Sequence, residues 1–228
     1  YNLLNAEQLI ADMSGSKVFS VLDALWGFWQ IPVHPDDVHK TAMATQFGSY
    51  EWRCMPMGTT NSPPHFQRVM NSYLGHLPFV KVFVDDICIH STNVEEHKQH
   101  LTIVFDILLK NNVAIKSSKM QLFKRSVKFL GHVLTGEGTS PQASKVKAVE
   151  DWPDLQDVVD VRQFLGLVNF YRKYVFNFAE KAVPLTRLLK KDVEFKWENE
   201  EKQAFNALKR SIIEAPVLIL PHHDKALN

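Results

Sequence analysis

Three aspartates carry the strongest chemical signal in the sequence. Asp85 and Asp86 stand between two β-branched and aromatic runs, Phe79-Val80-Lys81-Val82-Phe83-Val84 and Ile87-Cys88-Ile89-His90-Ser91. Each run has the length of a strand, and two residues between strands read as a tight hairpin with the acidic pair at its tip. Asp-Asp is a poor hairpin dipeptide, because Asn-Gly or Asp-Gly tolerates positive φ far better and two like charges repel. For such a pair alone a solvated turn is the plainer reading. The sharper reading is that the carboxylates hold divalent metal ions, which turns the repulsion into a reason for the pairing. A third carboxylate decides between them. Asp23 ends the apolar run from Lys17 to Leu22, where a charge is costly unless paired or metal-bound. Two divalent ions about 3.5–4 Å apart, bridged by Asp23, Asp85 and Asp86, are the apparatus of two-metal phosphoryl transfer.

Bringing these groups together requires particular elements. Ser62 as N-cap and Pro63 at the first helical position start a helix that Gly75 closes, with Phe66, Val69, Met70 and Tyr73 on its apolar face. Thr92 or Asn93 caps a second helix, with Glu95 and Glu96 in its first turn. Its core stripe is Leu101, Val104, Phe105, Leu108 and Leu109, and Asn111 and Asn112 end it. Basic strands over 119–123 and 127–134 follow. Strand, helix, hairpin, helix, strand is a split βαβ pattern of the ferredoxin-like kind, which can set the end of the first strand beside the hairpin tip. Residues 6–13 have weak helical periodicity, 30–33 read as a strand, and 41–47 and 50–55 as a hairpin about Gly48-Ser49. Past Pro141 four helices are expected, over 143–151, 158–174, 178–190 and 200–214, with Pro184 a kink or break in the third. The fold class is therefore α/β (α+β), an α/β domain over 1–138 and a smaller helical one over 139–228.

The 228 residues, 45% hydrophobic and 22% charged, suit a globular protein with a sizeable core. The net charge of +1 is unevenly spread: residues 1–100 hold six Lys or Arg against ten Asp or Glu, whereas 110–147 hold eight basic residues against Glu137 alone. That asymmetry suggests a polyanionic partner, although basic stretches are often only a soluble surface. Cys54 and Cys88 offer neither a disulfide framework nor zinc spacing, so a reducing, cytoplasmic compartment is the simplest expectation. No apolar run is long enough to span a bilayer, and the start lacks the pattern of a signal peptide. His97 and His100, beside Glu96, share a helix face without a third ligand at zinc spacing, and His222-His223-Asp224 lies at a terminus.

The stretches Phe19-Ser20-Val21-Leu22-Asp23-Ala24-Leu25-Trp26-Gly27-Phe28-Trp29-Gln30, Met55-Pro56-Met57-Gly58-Thr59-Thr60-Asn61-Ser62-Pro63, Phe83-Val84-Asp85-Asp86 and Phe129-Leu130-Gly131-His132 together resemble the reverse transcriptase of gypsy-type LTR retrotransposons. The tail is similar too, in Asp151-Trp152-Pro153, in Phe164 to Arg172, and in Ala215-Pro216-Val217-Leu218. Each motif is weak alone; their order and spacing are specific, and the resemblance covers essentially the whole chain.

The resemblance implies a polymerase palm with partial fingers, a fingers-like insert about 35–62, and a helical thumb or connection. Asp23, Asp85 and Asp86, assisted by the Ala24 carbonyl, would be the catalytic metal ligands for two Mg2+ ions, with Mn2+ a substitute. One ion would activate the primer 3′-hydroxyl and the other hold the triphosphate. Trp26, Gly27, Phe28, Met57 and Gly58 would bind the nucleotide, Phe28 as the ring that rejects a 2′-hydroxyl. Phe83, Leu130, Gly131 and His132 would bind the primer. Partners would be an RNA template, a DNA primer or RNA–DNA duplex and dNTPs, with no membrane, in cytoplasm or virus-like particles. The family carries more fingers sequence upstream, including cations for the triphosphate, and here only Lys17 precedes Asp23. A fragment of a polyprotein with RNase H, protease and integrase is therefore expected. Phe83, Met57 and Ala24 stand where the family more often has Tyr, Phe and Leu. The alternative is a catalytically inactive or domesticated nucleic-acid-binding module.

Overall fold

A computed structural model of the chain describes residues 6–220, which divide into two units, 6–129 with residue 220, and 130–219. In the first unit helix α1 (Ala6–Ala11) precedes strand β1 (Val18–Asp23), whose residues are buried until Asp23 emerges half-buried at its end. Two 3-10 turns follow, Gly27–Gln30 and Pro35–Thr41, and then an exposed ribbon of β2 (Met43–Thr45) and β3 (Gly48–Tyr50). The ribbon turns at Gln46-Phe47, since Thr45 pairs with Gly48, and not at Gly48-Ser49. The strand expected over 30–33 is reduced to two main-chain bonds, Val33 N to Arg53 O (3.0 Å) and Met55 N to Ile31 O (2.8 Å). Pro32 between them has no N–H with which to extend the ladder.

Helix α2 (Ser62–Leu74) carries Pro in its first turn, as expected, but its cap position is Asn61. Ser62 lies inside the helix and donates its hydroxyl back to Pro56 O (3.0 Å), which fixes the preceding loop. Strands β4 (Val80–Phe83) and β5 (Asp86–Ser91) form the acidic hairpin. Helix α3 (Val94–Lys110) starts where Asn93 Oδ1 accepts from Glu96 N (2.9 Å). Strands β6 (Gln121–Lys124) and β7 (Ser126–Phe129) complete the unit.

The main sheet has the order β4-β5-β1-β6, with β1 antiparallel to both β5 and β6. Strands β1 and β4 thus run parallel on either side of β5, joined through α2, which is the split βαβ arrangement. Its core holds Leu22, Phe66, Met70, Leu74, Ile87, Ile89, Leu101, Val104 and Leu108. Phe105 and Leu109, expected in that core, are 36% and 78% exposed. The buried stripe of α3 is narrower than the sequence pattern, because each step of one residue turns 100° away from the sheet.

The second unit begins with β8 (His132–Thr135) and β9 (Thr139–Pro141), which pair about a turn at 136–138. Four helices follow: α4 (Ala143–Glu150), α5 (Val158–Phe170), α6 (Phe178–Arg187) and α7 (Asn199–Ile213). They pack around Val161, Phe164, Leu165, Val168, Phe205 and Leu208. Helix α5 stops at Phe170 and gives way to a 3-10 turn over Arg172–Tyr174, where one helix to 174 is expected. The change of pitch turns Tyr174 inward, its hydroxyl 3.0 Å from both His132 Nδ1 and Thr139 Oγ1. Pro184 lies within α6 without ending it. His222-His223-Asp224 lies outside the described residues, among which no helix is long and apolar enough to cross a membrane.

Buried histidines tie both units to pH. His97 is fully buried, its Nε2 hydrogen-bonded with Ser20 Oγ and its Nδ1 with Ser91 Oγ, both at 2.7 Å. Those bonds occupy both ring nitrogens, so His97 is a core histidine. Burial pushes His90, His97 and His132 each down to about 4 from 6.5. The unfolded chain therefore takes up protons below pH 6.5 that the folded chain refuses until about 4. Stability is complete above pH 6.5 and falls as pH drops through that window, by up to roughly 3 kcal/mol per histidine at about 1.4 kcal/mol per pKa unit. Urea midpoints measured from pH 7.5 to 4.5 should fall steadily, and His97→Gln should flatten the slope. A midpoint independent of pH over that range would contradict this account.

Candidate active site

The strand register itself assembles the three aspartates. Asp23, the last residue of β1, is the Cα partner of Asp86, the first residue of β5. One step on, Ala24 N donates to Asp85 O at 3.0 Å. All three thus share one edge of the sheet, on backbone that hydrogen bonds fix. The acidic pair is not the hairpin tip, however. Phe83 pairs with Asp86, so the two connecting residues are Val84 and Asp85. Val84 takes a φ of 51°, a left-handed conformation that costs a β-branched residue roughly 1–2 kcal/mol. The shift of one residue matters chemically, because Asp86 belongs to the rigid ladder and only Asp85 to the turn.

Several side chains stiffen this edge. Lys116 N donates to Asp23 O (2.9 Å), and Leu25 N to Ala114 O (2.9 Å). Gln30 staples the same segment: its Nε2 donates to Leu25 O (2.6 Å) and Ala114 O (3.0 Å), and its Oε1 accepts from Ala114 N (2.7 Å). Trp26 adopts a left-handed conformation (φ 51°, ψ 42°) that swings the chain into the 3-10 turn beginning at Gly27. A Cβ on Gly27 would lie 2.1 Å from Asp85 Oδ1 and 3.1 Å from the Phe66 ring, so only glycine fits there. Phe28 follows, half-buried, its ring edge-on to Phe66 with centroids 5.6 Å apart.

The electrostatics are those of crowded carboxylates. Burial, then the charges of Asp23 and Asp86, hold the Asp85 carboxyl above its ordinary value; burial and then Asp23 do the same to Asp86. Asp85 Oδ1 is buried without a hydrogen-bond partner. Lys119 Nζ lies 2.7 Å from Asp23 Oδ2, and that hydrogen bond raises the lysine's own pKa. Hard oxygen donors, an unpartnered buried carboxylate oxygen and mutual repulsion suit divalent cations. Among the described residues no three His, Cys, Asp or Glu side chains already converge on one point, since Asp23 is turned onto Lys119. The strand register holds the backbone of the three residues together, while the Asp23 carboxylate is paired with Lys119.

The remaining expected residues are less closely tied to this edge. Met57 and Gly58 lie in the loop before α2, Met57 58% exposed and Gly58 at φ 87°. Nothing lies within 4 Å of a Cβ on Gly58, so its glycine serves the turn and not a close approach. Phe83 is half-buried at the end of β4, opposite Asp86. Leu130, Gly131 and His132 belong to the second unit. Leu130 and Gly131 have φ of 47° and 78°, and Tyr171 OH donates to Gly131 O (3.0 Å). The His132 ring is fully buried against Phe170, so what this segment offers a ligand is main chain. Two residues that hold main chain in place went unassigned in the sequence, Gln30 and Gln67, the latter bonded to Val82 O and Val84 N; for Gln67 a polar amide on an otherwise apolar face of α2 was the available signal.

The chain is similar to known proteins over nearly its whole length. Residues 2–134 fit the family model described as reverse transcriptase (RNA-dependent DNA polymerase). The chain is 36% identical over 228 residues to the retrovirus-related Pol polyprotein from transposon 297 of Drosophila melanogaster, covering 99% of the chain and 22% of that protein. It is 35% identical over 220 residues to the transposon Tf2-3 polyprotein of Schizosaccharomyces pombe, covering 96% of the chain and 16% of the polyprotein. Among solved structures, it superposes on a foamy viral protease-reverse transcriptase in complex with double-stranded DNA, with a TM-score of 0.89 and 27% identity, over 96% of this chain and 39% of that one. The same viral protein in complex with an RNA/DNA hybrid gives 0.85 at 27% identity, over 95% of this chain and 30% of that one.

Proposed function

The chain belongs to the reverse transcriptase (RNA-dependent DNA polymerase) family, and from that premise we propose that it extends a DNA primer from dNTPs along an RNA or DNA template. The observation that carries this reading is the register of Asp23 with Asp86, with Asp85 locked beside them through Ala24 N. The first unit is the palm with part of the fingers, the second the thumb or connection, of a longer Pol-type polyprotein.

Asp23, Asp85, Asp86 and the Ala24 carbonyl would hold two Mg2+ ions, or Mn2+ in their place. When bound, the ions supply charge neutralisation for the triphosphate and acidify the primer 3′-hydroxyl. The chain's own contribution is position. Trp26 and Gly27 bring backbone N–H groups to the triphosphate at the start of a 3-10 turn, where the turn offers them no acceptor, while the space that the Gly27 side chain would need is taken by Asp85 Oδ1. Phe28, braced by Phe66, presents a ring to the sugar. Met57 and Gly58 border the base, while Phe83 and the Leu130-Gly131 main chain meet the primer terminus. Exposed Lys and Arg between 110 and 147 add phosphate contacts, so affinity for duplex should fall steeply with salt.

Primer extension on poly(rA)/oligo(dT) tests the reading in the full-length protein. We expect dTTP incorporation that needs Mg2+ and stops with EDTA, and refusal of rUTP that Phe28→Val relaxes by at least about tenfold, a change of about 1.4 kcal/mol in the barrier. Duplex binding without extension in any metal would instead support the inactive binding module.

A further inference from the structure

We infer that Gln67, on α2 and outside the carboxylate cluster, is a positioning residue that sets where Asp85 stands. The inference rests on the polymerase reading and adds a residue to it. Gln67 is 1% exposed, although it sits on a helix face otherwise made of Phe66, Met70 and Leu74. Its side chain is used almost completely. Oε1 accepts from Val84 N at 2.6 Å, and Nε2 donates to Val82 O and Asn71 Oδ1, each at 3.0 Å.

These bonds fix the amide's orientation. Turned over, it would set N–H against the Val84 N–H and oxygen against two oxygens. A correctly oriented Gln67 therefore holds the Val82 carbonyl and the peptide that leads into Val84, the hairpin's most strained residue, immediately before Asp85. Val84 has no local reason to hold a φ of 51°, being β-branched, and the surroundings must impose it. Gln67 fixes the peptide plane before Val84, the pairing of Phe83 with Asp86 and the bond from Ala24 N to Asp85 O fix the chain after it, and Val84 takes up the turn between the two.

From the other side Gly27 leaves no slack, since its missing Cβ is filled by Asp85 Oδ1. Relaxing Val84 toward ordinary backbone would swing Asp85 away from Gly27 and out of line with Asp23 and Asp86. Asp86 would stay, because the ladder holds it through Asp23 and Phe83. Loss of Gln67 thus displaces one carboxylate of three. Its signature is a fall in turnover with binding preserved.

The experiment compares Gln67→Met, Gln67→Glu, Asn71→Ala, Asp85→Asn and Met70→Ala in the full-length protein. Gln67→Met keeps length and bulk but no hydrogen bond; Gln67→Glu keeps the acceptor and opposes the Val82 carbonyl with charge. For both we expect kcat lower by about 10- to 100-fold, the loss that a displacement of about 1 Å produces. KM for dNTP and affinity for duplex should stay within about threefold, and Mn2+ binding, read from the EPR signal of the free ion, should weaken. Asn71→Ala, which unties one Nε2 hydrogen, should give a smaller loss in the same direction and serves as the reading if Gln67→Met does not fold. Met70→Ala, buried on the same helix, lowers the melting temperature without changing the kcat of the folded fraction. Wild-type kcat and Mn2+ affinity in Gln67→Met, or in Asn71→Ala where only that variant folds, would overturn the inference. An active Asp85→Asn would instead remove Asp85 from the chemistry, and absence of Mg2+-dependent extension by the unmutated protein would overturn the polymerase reading itself.

Discussion

Asp85→Asn should reduce primer extension by at least about 10³-fold, several kcal/mol of transition-state stabilisation, while duplex affinity changes little. The substitution keeps the side chain's shape and removes its charge. Duplex affinity depends mainly on Lys and Arg meeting phosphates, and losing one carboxylate leaves that term intact. The same change should leave the protein as stable or more so. Asp85 is held above the ordinary carboxyl range by burial and by the charges of Asp23 and Asp86, so a neutral group relieves a cost that the folded chain bears. Lost extension with an unchanged or raised melting temperature marks a site kept for function at the expense of stability. A folded Asp85→Asn protein that extends primers at the wild-type rate would remove Asp85 from the chemistry.

The second large effect is expected from a single methyl group. In Gly27→Ala the new Cβ would meet Asp85 Oδ1 at 2.1 Å and the Phe66 ring at 3.1 Å, well inside contact distance. Either Asp85 turns away or the 3-10 turn carrying Phe28 shifts, by something on the order of 1 Å, for which about a 10²-fold loss in turnover is expected. The displaced turn also carries the backbone offered to the triphosphate, so KM for dNTP should rise together with the fall in kcat, in contrast to the substitutions at Gln67. Gly48→Ala, in the exposed ribbon of β2 and β3, is the informative control. Its φ of 129° makes alanine strained there, yet its Cβ would meet nothing within 4 Å. It should cost about 1 kcal/mol of stability with a far smaller loss of turnover. Steady-state kinetics of the two variants side by side decide the matter, and comparable kcat losses would show that the Gly27 contact is not what limits this position.

Much of the palm was legible because its signals are local. Strand-length apolar and β-branched runs mark β1, β4 and β5, and Asn93 with Glu96 marks the start of α3. The errors have local causes as well. A Val at positive φ is a poor guess from propensity, so the hairpin turn was placed one residue late; the bond to Gln67 before it and the pairing of Phe83 with Asp86 around it together hold Val84 there. Phe105 and Leu109 look like core on a helical wheel, but the sheet covers only one narrow face of α3. Ser62 is not the cap because the helix begins one residue earlier than expected, with Asn61 at the cap position and the Ser62 hydroxyl, inside the helix, donating to Pro56 O.

The sequence by itself determined the chemistry available: three carboxylates set at the ends of apolar strands, a glycine and an aromatic residue just past the first, and a basic segment downstream. Residue type and spacing are enough for that, since the cost of leaving charges at strand ends is intrinsic to them. Only the tertiary structure decided which atoms meet. Strand register placed Asp23 opposite Asp86, a glutamine from α2 took hold of the peptide leading into Val84, and Gly27 closed against the Asp85 carboxylate. The burial of His132 likewise left main chain, and not a ring, at the start of the second unit. Those outcomes depend on contacts between residues far apart in the chain, which pack and hydrogen-bond only once the sheet exists.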